Sequence, residues 1–430
     1  MKRSVALSVG LCAVLAVVAC GPPRASSTGP ATDESTGTVK VWLFQEANNA
    51  PKEAVVAEAV TEFQAAHQGV TVEVQYIATE SRAERMTGAF NDPGNAPDVV
   101  EYGNTDMANY VAVGGLADIT GALDSWAEGS GLDPRIVEST EVDGKRYGLP
   151  WYIGVRALYY RTDIFAELNL RPPQTLGELV ETARQIRAAK PDLYGISVGG
   201  RYVYGLAPMI WAAGGELATK QGDRYVSGLN TDAAKSGIAT YASLINDAIC
   251  PPANCAQLTG TASVQAFASG KAAMTIGGDF NRSTVDAGEA RGKYAVVPLP
   301  GTTPGSVAPA FAGGNNLGVL RSSKHATLAS QFIELLGGRT YQQKMFAAMT
   351  YLPTFTDLQD EVTRSNPALE PFVATIKAGT KFVPLDKAWA TIDAQGVLPT
   401  MVQEIAVGAK TLDQAVAAAD EQMNSLLAKG

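Results

Sequence analysis

Cys250 and Cys255 stand five positions apart in Cys-Pro-Pro-Ala-Asn-Cys, and no other pair in the chain is so well placed for covalent chemistry. Two nearby cysteines on a Pro-rich turn form a disulfide in an oxidising compartment. A metal would need two further ligands, and the two histidines, His67 and His325, are both far away in sequence. No metal is expected. Serine hydrolase chemistry is read as lacking its Gly-x-Ser-x-Gly, and two histidines leave little material for a nucleophilic triad. With no P-loop and no dinucleotide fingerprint, no cofactor is expected. A glycosidase would need an acid and a second carboxylate about 5–10 Å apart, and no motif marks such a pair. The chain is therefore not read as an enzyme. It supplies carboxylates, amides and aromatic rings near the ends of predicted strands.

The remaining cysteines sit at the N-terminus. Lys2 and Arg3 precede an apolar run, Val5 to Ala19, of signal-peptide rather than membrane-span length. Ala19 stands directly before Cys20, and Gly21-Pro22-Pro23 follows. This arrangement resembles a lipobox, in which cleavage frees a cysteine whose thiol carries a lipid. Residues 1–19 are read as a lipoprotein signal peptide and 20–37 as a flexible tether, rich in Gly, Pro, Ser and Thr. Cys12 leaves with the signal. The mature chain is expected outside the cytoplasm, held at the cell membrane through Cys20. A net charge of −9 without basic runs argues against nucleic acid as a partner.

The ligand-holding groups need elements to position them. Val39–Phe44 reads as a strand. Pro51 opens a helix with Val55, Val56, Ala59, Val60 and Phe63 on one face. Val70–Ile77 alternates as a second strand, a helix covers Ser81–Phe90, and Pro97–Tyr102 is a buried third strand. Strand and helix in alternation imply a parallel sheet, whose ligands sit at the carboxyl ends of the strands. That edge holds Gln45, Glu46, Glu101, Tyr102 and Asn104. Thr175 and Glu178 form a capping box, an amphipathic helix spans Thr231–Ile249, and Ala272–Ile276 is a strand ending in Gly277-Gly278-Asp279-Phe280. Residues 298–314 read as a loop, and Thr411 starts a closing helix.

Several segments, in this order and spacing, resemble the extracellular solute-binding proteins of carbohydrate ABC importers, the family of maltose-binding protein. They are Asn95–Asn104 with Gly114–Asp118, Asp143–Pro150 with Arg156–Asp163, Pro173–Leu179, Phe267–Met274 and Thr411–Ala415. The resemblance implies an α/β, two-lobed periplasmic-binding-protein-like fold of type II, with hinge-linked lobes and a ligand cleft between them. It places the N-terminal lobe at 38–154 plus 312–340 and the C-terminal lobe at 155–311 plus 341–430. Crossings would fall near Gly154–Ala157, Phe311–Gly314 and Gly338–Tyr341. The implied partners of this monomer are a mono- or oligosaccharide and the permease subunits of an importer.

Carried over residue by residue, the resemblance makes Tyr102 and Phe280 stacking aromatics and Asp279 a hydroxyl acceptor. Trp42, Gln45 and Glu46 match the loop after the first strand, and Asn104 and Thr105 the loop after the third. Trp151 and Tyr152 precede the first crossing, Gly313, Gly314 and Asn315 match a glycine-rich turn, and Trp389 matches a tryptophan of the second lobe. Trp126 and Trp211 read as core. Trp42, within a strand, points either way, and the carboxylates also fit as solvated or capping groups. Glu101 and Tyr102 are neighbours on a strand, so only one of them faces the cleft. Arg156 reads as a hinge residue tying the lobes. Where maltose-binding protein has a carboxylate before the first crossing this chain has Gly154, so the maltodextrin contacts are not carried over intact. A solute-binding protein for a non-sugar is the competing reading within the same fold.

Overall fold

The computed structural model describes residues 33–429, apart from Ala47, Thr79, Glu80 and Asp223. The expected signal peptide, Cys20 and the expected tether up to residue 32 lie outside the described residues. The expected flexible tether over 20–37 needs correction at its end, where Asp33 and Glu34 are pinned to the fold and Gly37 already belongs to a strand. Asp33 accepts bonds from the amide and hydroxyl of Thr327, in the first turn of the helix Ala326–Leu336, and the Glu34 amide donates to the Lys324 carbonyl.

Strand β1 (Gly37–Gln45), helix α1 (Ala50–Ala66), strand β2 (Val70–Ala78) and strand β3 (Val99–Gly103) follow the expected alternation. β1 pairs in parallel with both β2 and β3. Pro51 lies in the first turn of α1, where the missing amide costs nothing. Val55, Val56, Ala59 and Phe63 bury against β1 and against Phe332 and Ile333 of the helix Ala326–Leu336, with the Phe63 and Phe332 rings edge to face at 5.3 Å. Each of the larger side chains taken from water contributes about 1.5–3 kcal/mol.

Strand β4 (Leu149–Gly154) runs almost directly into β5 (Arg156–Arg161), with Val155 alone between them. β4 belongs to the five-stranded sheet of the first lobe. β5 is the centre of the second lobe's sheet, between β6 (Met274–Gly278) and β7 (Tyr294–Val297). The chain returns at Ala312 and enters β8 (Gly313–Val319), which fills the first sheet between β3 and β4, antiparallel to both. Two expectations need correction here. Gly313-Gly314-Asn315 is not a turn but the start of a central strand, and the loop from residue 298 ends before the two-residue strand Ala310–Phe311. The third crossing is also not at Gly338–Tyr341. The helix Arg339–Met349 stays on the first lobe, where Tyr341 and Met345 join its core and the Tyr341 hydroxyl donates to Glu62 at 2.7 Å. The chain reaches the second lobe with the helix Glu370–Ala378, whose Phe372 and Ile376 pack with Tyr159 of β5. Motif order locates a segment in the chain, whereas the lobe it joins depends on which core its apolar face fits.

The second lobe is more helical, as its periodicity implied. Thr175 caps the helix Leu176–Ala189 by accepting from the Glu178 amide, while the Glu178 carboxylate reaches back to Gln174, one residue earlier than a reciprocal box requires. The helix expected over Thr231–Ile249 is shorter, Asp232–Ala242, and turns carry the chain on to Cys250. Cys250 and Cys255 are bonded and buried in the lobe's core. Among the described residues no helix is long and apolar enough to cross a membrane.

The crossing between the lobes is clasped by one carboxylate. The Val155 amide, between the two sheets, donates to Asp279 Oδ1 at 2.9 Å. Burial pushes the Asp279 carboxyl up to about 7, against the lowering effects of the Val155 amide and nearby arginines. The folded protein thus holds a proton that the unfolded chain releases near pH 4. Stability from this group is greatest at acid pH and falls as pH rises from about 4 to about 7, by up to roughly 4 kcal/mol. Thermal unfolding of wild type and Asp279→Asn across that window should show the gap between their midpoints changing steadily. A constant gap would show that Asp279 titrates normally.

Candidate functional site

The register of the first sheet decides which side chains face the other lobe. Asn315 of β8 is paired with Gly103 of β3 on one side and with Tyr152 of β4 on the other, so these positions share a face. Glu101, two residues before Gly103, lies on that face too. Tyr102 pairs with Asn316 and points the opposite way. It is fully buried, its hydroxyl donates to the Tyr147 carbonyl at 3.1 Å, and its ring packs by Tyr110. Tyr102 is therefore core and not a stacking aromatic. Trp42 pairs with Val100 and belongs to the same opposite face, half-buried under Arg85. The alternation that separates Glu101 from Tyr102 was legible; which of the two faced the cleft depended on the register of β8.

A cavity of about 310 Å³ lies between the lobes at the crossings. From the first lobe Glu46, Tyr152, Gly313, Gly314 and Asn315 line it; from the second come Asp279 and Phe280. These seven sequence-derived candidates are brought together. The others are not. Trp151, next to Tyr152 but on the other face of β4, is 1% exposed in the first-lobe core. Trp389 is 2% exposed in the second-lobe core, although Asp393 of the same helix lines a neighbouring cavity. Gln45 is exposed at the end of β1 and lines neither cavity. Asn104 is buried and donates to the Ala312 carbonyl at 2.7 Å, bracing the second crossing, with Thr105 half-buried beside it.

Three contributors were missed or given another role. Tyr351, in the segment after the helix Arg339–Met349, stacks on Tyr152 with ring centroids 4.1 Å apart and also lines the cavity. No local motif marks it. Tyr204 lines the second cavity, of about 400 Å³, which adjoins the first and shares Arg156 and Phe280 with it. Arg156 was read as a hinge residue, and it does sit at the crossing. Its guanidinium carbon lies 5.1 Å from the Tyr204 ring, 5.5 Å from Phe280, 5.7 Å from Phe311 and 5.8 Å from Tyr202, and its Nε donates to the Tyr202 hydroxyl at 2.9 Å. Such a cation among π faces is attracted to each of them and holds their rings in place. Phe280 remains 45% exposed at the junction, an apolar face open to the cleft.

The polar wall is kept ready for hydrogen bonding. Burial and the nearby Glu101 and Glu46 hold the Tyr152 and Tyr351 phenols well above their usual range, so both stay protonated at neutral pH. Burial and Asp106 also raise Asp393, across from the Arg82–Asp106 pair at 3.3 Å. Among the described residues no cluster of His, Cys, Asp and Glu has the makings of a metal site.

The reading that Gly-x-Ser-x-Gly is lacking needs correction. Gly195-Ile196-Ser197-Val198-Gly199 matches the Gly-x-Ser-x-Gly pattern of serine hydrolases. Here Ser197 is fully buried, its hydroxyl donates to the Ser263 carbonyl, and it sits beside Thr275 of β6. His67 and His325 belong to first-lobe elements, by α1 and at the start of the helix Ala326–Leu336. The glycines serve packing: a Cβ on Gly195 would meet the Ala183 carbonyl oxygen at 1.9 Å, and one on Gly199 that of Leu258 at 1.9 Å. Ser197 is a sealed core residue and not a nucleophile.

Comparison with known proteins bears on the family and the fold. The chain is 28% identical over 406 residues to the diacetylchitobiose-binding protein DasA of Streptomyces coelicolor, covering 91% of each chain. It is 26% identical over 360 residues to the galactooligosaccharide-binding protein of Bacillus subtilis, covering 82% of this chain and 80% of that one. Among solved structures, the sugar-binding protein MalE of Xanthomonas citri superposes with a TM-score of 0.79 at 23% identity, over 91% of this chain and 98% of the other. This likeness shows the maltose-binding-protein-like, type II two-lobed fold. Residues 58–371 match the family model described as bacterial extracellular solute-binding protein, and the chain belongs to that family.

Proposed function

We propose that this protein is the substrate-binding lipoprotein of an ABC importer, capturing a sugar or oligosaccharide between its lobes and delivering it to the permease. One observation carries the reading. The interlobe cavity sets an open aromatic face, Phe280, and the Tyr152–Tyr351 stack beside carboxylate and amide groups of Glu46, Asp279 and Asn315. A sugar ring has an apolar face suited to such aromatics and a rim of hydroxyls suited to such polar groups. Hinge closure around the ligand is the motion two lobes of this kind make. The relatives whose names record saccharide binding support the same substrate class. Cys20, as lipid site, would hold a monomeric receptor at the outer face of the membrane, close to its permease.

Calorimetric titration of the mature protein with diacetylchitobiose, a galactooligosaccharide, lactose and maltotetraose tests the substrate class. At least one should bind and raise the thermal midpoint as it saturates. Silence across the panel, with stabilisation by an amine or a metal complex instead, would sink the sugar reading. For the bound sugar, Phe280→Ala should weaken affinity by about 1–3 kcal/mol while the free protein stays folded. Gly314→Ala should weaken it too. Gly314 has φ +154, and a Cβ there would lie 2.3 Å from the Tyr152 carbonyl oxygen, displacing the wall that carries Tyr152. Unchanged affinity in both variants would place the ligand elsewhere.

A further inference from the structure

Lys52 is an unusual residue to find where it is. It lies in the first turn of α1, where the helix dipole disfavours a cation, and its side chain is wholly buried. Its ammonium donates to Glu101 at 2.9 Å and to the Phe44 carbonyl at 2.8 Å, lies 3.6 Å from Glu46, and sits 5.1 Å from the centroid of the Trp151 ring. Glu101 is equally buried and collects four donors. Its Oε2 accepts from Lys52 and from the Phe44 amide at 2.7 Å; its Oε1 accepts from the Tyr152 hydroxyl at 2.8 Å and the Asn315 amide at 2.6 Å. Asn315 Nδ2 is also 2.6 Å from the Tyr152 hydroxyl oxygen.

Stability alone does not account for this pair. Removing two charges from water costs several kcal/mol each, and well-packed apolar residues often replace a buried ion pair without loss. What apolar residues could not do is hold Tyr152 and Asn315. Because Glu101 is a pure acceptor, it fixes the direction of the Tyr152 O–H and orients the Asn315 amide with its nitrogen inward. Oδ1 is then the Asn315 polar atom left for a ligand. Lys52, drawing on Glu46 as well, reaches three of the first-lobe groups that line the cavity.

We propose that the buried Lys52–Glu101 pair is a positioning pair for the cleft, fixing Tyr152 and Asn315 so that the first-lobe wall meets ligand hydroxyls with acceptors already in place. The proposal rests on the saccharide reading for its ligand but not for its geometry. Support of this kind, one layer behind the contacting groups, sharpens affinity by removing the need to organise the site on binding.

The test uses Lys52→Met with Glu101→Gln, which removes both charges together, and Glu101→Asp, which keeps the charge but withdraws the carboxylate. Both variants are studied well below their melting temperatures. With whichever panel sugar the wild type binds, each should weaken affinity by roughly tenfold to a hundredfold, the scale at which losing the groups that orient metal ligands weakens metal sites. Tyr152→Phe should weaken wild type yet add little to the double variant, because the two changes break one network. A pair that serves stability alone would lower the melting temperature, leave affinity intact and give additive losses, and that outcome overturns the proposal. A readout without ligand separates this result from failure of the saccharide reading. In protein carrying 13Cζ-tyrosine, the Tyr152 resonance, identified by its loss in Tyr152→Phe, should shift in the folded variants. If no panel sugar binds wild type, this resonance alone decides. Unchanged, it refutes the positioning role.

Discussion

The two largest sheets among the described residues are joined at a single residue. Val155 separates the last residue of β4 from the first of β5, and its amide is spent on Asp279 from the end of β6. So short a link leaves the lobes no freedom to drift apart at this edge. They can only swing about it, with the returning strand β8 laid beside β4 and its first residue paired to Gly154. Both cavities open from that junction, and both share Arg156, the first residue beyond it. The position of the cleft follows from the brevity of the crossing.

What lines the cleft follows from strand alternation. Along β3 and β4 successive residues go to opposite faces, so Glu101 and Tyr152 serve the cleft side while Tyr102 and Trp151 fill cores. The aromatic ring, a likely-looking ligand platform in any strand, is an equally good core filler, and composition does not separate the two uses. Phe280 was legible because it ends a strand beside glycines: a Cβ on Gly278 would lie 2.2 Å from its ring. Tyr102 also ends a strand beside a glycine, yet there the neighbouring β8 turns that face inward.

The α/β order of the first lobe, the capped helices and the Cys250–Cys255 bond were readable because each depends on local chemistry: period, cap and turn. Glu46, Asp279 and Phe280 were readable from their places at strand ends, whereas Tyr152 and the Gly313–Asn315 run came from the family resemblance, the latter as a turn that is in fact a strand. Tyr351 and Tyr204 were not readable, since they reach the cleft from segments whose docking is set by distant contacts. The stacking of Tyr351 on Tyr152 spans almost 200 residues of chain. Lys52 was hidden for a different reason. A lysine in the first turn of a surface-patterned helix looks solvated, and only the convergence of β1, β3 and β4 beneath it supplies an acceptor.

The pinning of Asp33 and Glu34 has a mechanical consequence. These residues dock at the start of β1, whereas Glu46 and the cleft lie beyond its other end, about 30 Å away at the rise of an extended strand. Tension arriving along the N-terminal segment is thus received by the cap of the helix Ala326–Leu336 and by the β1–β2 ladder, both within the first lobe. None of it passes through Val155. A leash of the proposed kind, attached there, would restrain the first lobe and not the second.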